Sequence, residues 1–205
     1  MEKKHLAQEI VKREWVLFDQ VHNIGGRASC QDNWPAFYVM RISQFLAWNK
    51  SILISYWNDL TEAEQEGRNP LSEKYGYMME VTSPEEYDRI KDQLPVCSEG
   101  KKKLVEEIVI CHMTWMREVS LRYPVLLGKG RPISEETGGW AASFETYLRG
   151  ELYTYSLKTL QLYHQYIKEL KMDGKNLNAM ILQNQMSYYG FNSLEEAEAR
   201  LSQKT

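Results

Sequence analysis

The stretch WPAFYVMRISQFLAWNKSILISYWNDLTEAEQE, residues 34–66, decides the fold. Its apolar residues recur at steps of three and four, with Tyr38, Ile42, Phe45, Ile52, Tyr56 and Leu60 on one stripe and Val39, Leu46, Leu53 and Trp57 on another. That is the period of an α-helix, and two stripes leave little of the circumference polar. The spacing therefore predicts one long central helix over about Trp34–Glu66. Asp32 or Asn33 caps its start, Pro35 fits its first turn, and Gly67 ends it.

Helical spacing continues on both sides. Upstream, about Lys3–Val21 turns Leu6, Ile10, Trp15, Phe18 and Val21 inward, and Gly25 and Gly26 follow its end. Downstream, Asn69-Pro70 leads into a short helix over about Ser72–Glu80. Ser83-Pro84-Glu85-Glu86 opens another by the capping-box pattern, and Pro95 stops it. Ser98 starts a helix that reaches about Arg122. The stretch Pro124–Ala142, rich in Gly and Pro, reads as the longest loop, a lid or a contact surface. A second long helix is expected over about Ser143–Lys171, then one over about Leu177–Tyr189, and Ser193-Leu194-Glu195-Glu196 opens the last. The expected fold is all-α, a single-domain helical bundle of about seven or eight helices with a polar cavity beside the long central helix.

Composition narrows the function. With 205 residues, 43% hydrophobic and 26% charged, the chain can bury roughly 70% of its unfolded surface around one core. Cys30, Cys97 and Cys111 form neither a disulfide framework nor a CxxC pair, and no apolar run is long enough to span a bilayer, so a cytoplasmic setting is expected. A net charge of -3, with the one basic run Lys101-Lys102-Lys103 offset by Glu106 and Glu107, offers no face for nucleic acid. Asp19 and His22 lie three residues apart, but His164 is preceded at that spacing by Gln161 and His112 by Val109. No di-metal carboxylate set is completed. Phosphate-binding Gly motifs are missing too, and neither metal nor cofactor is expected. His112, on the Val105, Val109, Met116 stripe, reads as a core histidine.

Three segments carry chemistry. The loop Gly25-Gly26-Arg27-Ala28-Ser29-Cys30-Gln31 puts a guanidinium, a thiol and an amide before a helix N-terminus, a combination that favours an anion. Its plain reading is a loop pinned by Arg27 to a carbonyl or carboxylate. Cys30 is either a reactive thiol or a small packed residue. On the central helix Arg41, Gln44, Trp48, Ser51, Ser55 and Asp59 fall on one face, with none of the Lys and Glu usual at solvent. This stripe reads as the lining of a polar cavity that Arg27 shares, or else as a solvent face. Further on, Glu145 and Arg149 form an i,i+4 pair, and Gly150 interrupts good helix formers, which a close backbone approach or a ligand would explain. Glu151 and Tyr155 follow as candidate proton-transfer groups.

The strings Glu14-Trp15, Gly25 to Gln31, Met40-Arg41 with Ser43-Gln44-Phe45, and Gly67-Arg68-Asn69 with Glu73-Lys74-Tyr75 resemble a bacterial family, the domain of unknown function numbered 4125. So do Tyr147-Leu148-Arg149-Gly150-Glu151-Leu152 with Thr154-Tyr155-Ser156, and the ending Gly190-Phe191 with Ser193-Leu194-Glu195. The likeness covers nearly the whole chain. It implies importance for Arg27, Cys30, Gln31, Arg41, Gln44, Arg68, Glu73, Lys74, Glu151 and Tyr155. It also implies work beside a nucleotidyltransferase-like domain, to which some relatives are joined. Where the family carries polar residues ahead of Glu145, this chain has Gly138-Gly139-Trp140-Ala141-Ala142, which weakens any role for the long loop.

The first expectation is a small-molecule site, catalytic or not. In it Arg27 and Arg41, with Arg68 and Lys74 nearby, hold an anionic carboxylate or phosphate, Gln31 and Gln44 orient it beside Cys30, and Glu151, Glu73 or Tyr155 handles protons. The alternative is a non-catalytic partner of a nucleotidyltransferase-like protein, and a purely structural module is the third.

Overall fold

The computed structural model describes residues 2–22, 26–128, 130–134 and 142–203, which form eleven α-helices and no strands. They are α1 (Lys3–Asp19), α2 (Trp34–Ala47), α3 (Lys50–Gln65), α4 (Pro70–Thr82), α5 (Pro84–Ile90), α6 (Glu99–Arg122), α7 (Pro124–Gly128), α8 (Phe144–Thr154), α9 (Leu157–Met172), α10 (Leu177–Tyr188) and α11 (Leu194–Ser202). Gly25 of the first loop, and Gly138, Gly139, Trp140 and Ala141 of the expected long loop, lie outside the described residues.

The helix count exceeds the expected seven or eight chiefly because both long helices are broken. The 34–66 helix stops at Trp48 and the 143–171 helix at Tyr155. Each of these residues is extended (ψ 157° and 148°), and the next residue caps a new helix: Asn49 Oδ1 accepts from Ile52 N, and Ser156 Oγ from Thr159 N. A side-chain cap replaces the backbone bonds that the turn gives up. The apolar period resumes in phase after each elbow, so periodicity alone does not reveal the break.

The two elbows meet in the core. Trp48 and Tyr155 are both buried, and their rings pack edge to face 5.9 Å apart. The Tyr166 hydroxyl donates to Ala47 O at the end of α2, Lys3 Nζ to Leu46 O, and Ser156 N to Asp59 Oδ2 on α3. Around them one continuous apolar core gathers Ile10, Ile42, Phe45, Ile52, Leu53, Ile108, Leu160 and Leu177 from α1, α2, α3, α6, α9 and α10. A smaller cluster joins the end of α6 to α7, α10 and α11.

Other expectations differ in detail. Asn33, Ser98 and Ser193 cap as read, and Asn69, read only as leading into its helix, caps it too; Ser83 does not cap, and its hydroxyl donates to Thr82 O. The 124–142 stretch opens with α7, whose first amides, Val125 N and Leu126 N, donate to Glu198. Pro132 O and Ile133 O then accept from Phe144 N and Glu145 N, tying the stretch to the start of α8. His112 is a satisfied core histidine: Nδ1 lies 2.6 Å from Asn178 Oδ1 and Nε2 2.9 Å from the Tyr163 hydroxyl. Burial lowers its pKa to about 4, so the ring is neutral. No helix among the described residues is long and apolar enough to cross a membrane, and no group of three metal-ligating side chains occurs among them.

Candidate functional site: a buried charge network that reaches the surface at Lys74

Glu14 occupies the Leu6, Ile10, Phe18 face of α1, where it is completely buried. A carboxylate removed from water needs a partner, and Arg41 on α2 supplies one in a two-point fork, Nε to Oε2 at 2.7 Å and Nη2 to Oε1 at 2.6 Å. The Tyr56 hydroxyl adds a third bond to Oε1 at 2.7 Å. The remaining guanidinium nitrogen, Nη1, reaches Gln44 Oε1 at 2.9 Å and both oxygens of Glu151 at 3.0 and 3.1 Å. Glu151 also accepts from Gln44 Nε2, the Tyr155 hydroxyl and Lys74 Nζ, at 2.9, 2.6 and 2.6 Å.

Gly150 allows this arrangement. A Cβ there would stand 2.8 Å from Lys74 O and 2.7 Å from Met78 Cγ, so α8 lies directly against α4 and brings Glu151 to Lys74. This explains the glycine in the helix: it serves the close backbone approach.

The network holds Glu14, Arg41, Glu151 and Lys74, two charges of each sign, and is electrically balanced. Burial alone would lower the pKa of Arg41, but Glu14 and Glu151 outweigh it and raise the value well above the ordinary one. Burial likewise pushes Glu151 up, and Arg41 with Lys74 reverses this, holding its carboxyl well below the usual carboxylate range. Burial, then Glu14, raises Tyr56; burial, then Glu151, raises Tyr155. At neutral pH the carboxylate of Glu151 is ionised and both phenols are protonated. A carboxylate has about four lone-pair sites, and Glu151 receives donors from four side chains. It is saturated as an acceptor, and Tyr155 is committed to it. These are positions of anchors, which argues against proton transfer by either.

The other expected residues sit in two separate knots. Arg27, 45% exposed, binds Asp19 at 2.6 Å and Asp32 at 2.9 Å, with Gln31 O as a further acceptor. Gln31 is buried and ties the turn to the end of α1, donating to Phe18 O and Val21 O and accepting from Ala28 N. Cys30 is exposed. Arg68 forks to Glu73 at 2.9 and 3.1 Å and binds Glu66 at 2.7 Å, so Glu73 belongs to the start of α4 and not to the network. The structure thus unites Arg41, Gln44, Lys74, Glu151 and Tyr155, and leaves Arg27, Cys30, Gln31, Arg68 and Glu73 apart. Arg27 and Arg41 bind different carboxylates, Asp19 and Asp32 against Glu14 and Glu151. The stripe expected on residues 41–59 dissolves at the elbow: Trp48 and Ser55 are buried in the core, and Ser51 faces solvent.

Four residues of the site are new. Glu14 and Tyr56 complete the inner end, and a carboxylate in the apolar i,i+4 ladder Ile10, Glu14, Phe18 was its visible signal. Tyr147 and Arg131 stand at the outer end. Lys74 Nζ lies 5.4 Å from the centre of the Tyr147 ring, and the Arg131 guanidinium stacks on that ring at 3.7 Å. Tyr75 meets Tyr147 edge-on at 6.3 Å. Arg131 is exposed and has no carboxylate within ion-pair distance among the described residues. Sequence reading passed over it because nothing in a Gly- and Pro-rich loop distinguishes one arginine.

Fold and site together define an all-α protein organised around a neutral buried charge network with a cationic, aromatic outer rim. The chain belongs to the family described as "Protein of unknown function (DUF4125)", which it matches over residues 4–199. No curated protein and no solved structure matches it.

Proposed function

We propose that the protein binds a small anion, a phosphate or carboxylate, at the outer rim, with Lys74 and Arg131 as its ligands and the Tyr147 ring between them. The observation that carries the reading is the tally of unused donors. Arg41 spends its N–H groups on Glu14, Gln44 and Glu151, and Arg27 spends most of its own on Asp19, Asp32 and Gln31. Lys74 spends one of three on Glu151, and Arg131 spends none on a carboxylate among the described residues. With four network charges cancelling, Arg131 leaves the rim positive. Arg41 and Gln44 then act one step back, fixing Glu151 and through it the ammonium of Lys74.

Glu14 and Glu151 hold the recognition group rigid before a ligand arrives, which lowers the ordering cost of binding. The anion's second face would lie on Tyr147 and Tyr75, so an anion attached to a flat group fits better than a bare one.

The test is a thermal-shift series with phosphate, pyrophosphate, malonate and citrate on the wild type and Arg131→Ala. A ligand of the native state at about 100 times its dissociation constant adds about 2.7 kcal/mol. At least one anion should raise the melting temperature of the wild type and fail to do so in Arg131→Ala. Equal shifts in both proteins, or none in either, would refute the reading. In the second case, the role beside a nucleotidyltransferase-like protein becomes the one to pursue.

A further inference from the structure

A concavity lies between α6 and the turn joining α9 to α10. Its volume is about 370 Å³. This is within the range of small-molecule sites. One wall is a single face of α6, on which Ile110, Cys111, Trp115 and Glu118 follow at helical steps, and the other wall carries Lys171 and Asn176.

The wall is chemically unlike a solvent face or a core face. Ile110 is 58% exposed at the lip, an apolar group with nothing over it, while Trp115 forms the floor. Of the lining charges, Lys175 is paired with Asp173 at 2.9 Å, and Glu107 has the His164 ring at 3.2 Å, which burial holds in its neutral form. Lys171 and Glu118 have neither. Lys171 has no carboxylate within ion-pair distance among the described residues. Glu118 has no cation within that distance among the described residues and accepts a hydrogen bond from Asn176 Nδ2 at 3.1 Å. Opposite charges thus line one groove without touching each other, and both act on the Cys111 thiol between them. Asn176 is held by its own bonds to Trp115 O and to the start of α10, which orients its amide toward Glu118.

We propose that this groove binds a small zwitterion of the α-amino-acid type with an apolar side chain: its carboxylate on Lys171, its ammonium on Glu118, and its side chain over Ile110 and Trp115. A dipolar ligand supplies Lys171 and Glu118 with the partners they lack and covers the exposed apolar lip. A simple anion would satisfy Lys171 and face Glu118 unfavourably.

Two measurements test it, both on the intact protein. Calorimetric titration with L-leucine should give saturable binding, and N-acetyl-leucine amide, which lacks both charges, should give none. Lys171→Met and Glu118→Gln, both at exposed positions, should each weaken leucine binding by about tenfold or more, the loss of one charge-assisted contact. Iodoacetamide labelling followed peptide by peptide should show leucine protecting Cys111 and leaving Cys30 unprotected. Arg131→Ala should bind leucine unchanged, which separates this site from the anion site. The absence of leucine binding, equal binding of the capped analogue, or unaltered affinity in both charge variants would overturn the proposal.

Discussion

Replacing Arg41 with Met tests whether the network acts as a single buried unit. The change removes the fork to Glu14, the bonds to Gln44 and Glu151, and the guanidinium from over the Phe45 ring, while keeping much of the aliphatic stem. Glu151 retains Lys74, Gln44 and Tyr155, but Glu14, completely buried, keeps only the Tyr56 hydroxyl. Breaking a buried pair by removing one partner costs about 3–5 kcal/mol, because a charge is left without compensation. Against a typical total of roughly 5–15 kcal/mol, this is a large fraction. Urea unfolding followed by circular dichroism at pH 7 measures it. The stranded carboxylate can also be relieved by a proton, so the deficit of the variant should shrink as the pH falls from 7 toward 5. Adding Glu14→Gln should restore part of the loss, showing coupling within one network. A deficit below about 1 kcal/mol, the scale of exposed ion pairs, or one that neither acid nor Glu14→Gln relieves, would refute the reasoning.

Three other outcomes follow from particular contacts. Gly150→Ala should destabilise by about 1–3 kcal/mol, because its Cβ meets backbone at Lys74 O. Gly76→Ala should cost far less, since its Cβ meets only the tip of Leu94 and alanine favours the helix; urea midpoints compare them. Asn49→Ala and Ser156→Ala should each cost about 1 kcal/mol by removing the caps at the two elbows, read in the same assay. His112, with a folded pKa of about 4 against the ordinary 6.5, binds a proton more readily when unfolded. Its contribution is therefore complete above pH 6.5 and lost as the pH falls to 4, about 3 kcal/mol in all. In His112→Gln that stretch of the stability curve should be flatter. Glu151, whose pKa is depressed, contributes above the unfolded carboxylate range, and its share is lost only at more acid pH.

The all-α character and most helix starts were legible because they rest on local rules: apolar spacing, and side-chain caps such as Ser98 and Ser193. The elbows were hidden because the apolar spacing resumes in phase beyond Trp48 and beyond Tyr155. What breaks the chain there is the cap that follows, Asn49 or Ser156, together with the burial of the two rings against each other. Arg41, Gln44, Lys74, Glu151 and Tyr155 stood out as polar groups in unusual settings, and the fold does assemble them. Their bonding was not legible, since it depends on Glu14 reaching Arg41 and on Gly150 bringing α8 against α4, contacts between residues far apart in sequence. Arg27 and Arg41 looked alike as free guanidiniums. Each is in fact occupied by two carboxylates, while Arg131, which has no carboxylate partner among the described residues, lay in a loop without pattern.

The account turns on where an anion is held, and calorimetric titration of pyrophosphate into the wild type, Arg131→Ala and Arg27→Ala measures that directly. Saturable binding that weakens about tenfold or more in Arg131→Ala and is unchanged in Arg27→Ala is the predicted result. Binding lost in Arg27→Ala and kept in Arg131→Ala would contradict it and return the site to the turn after α1.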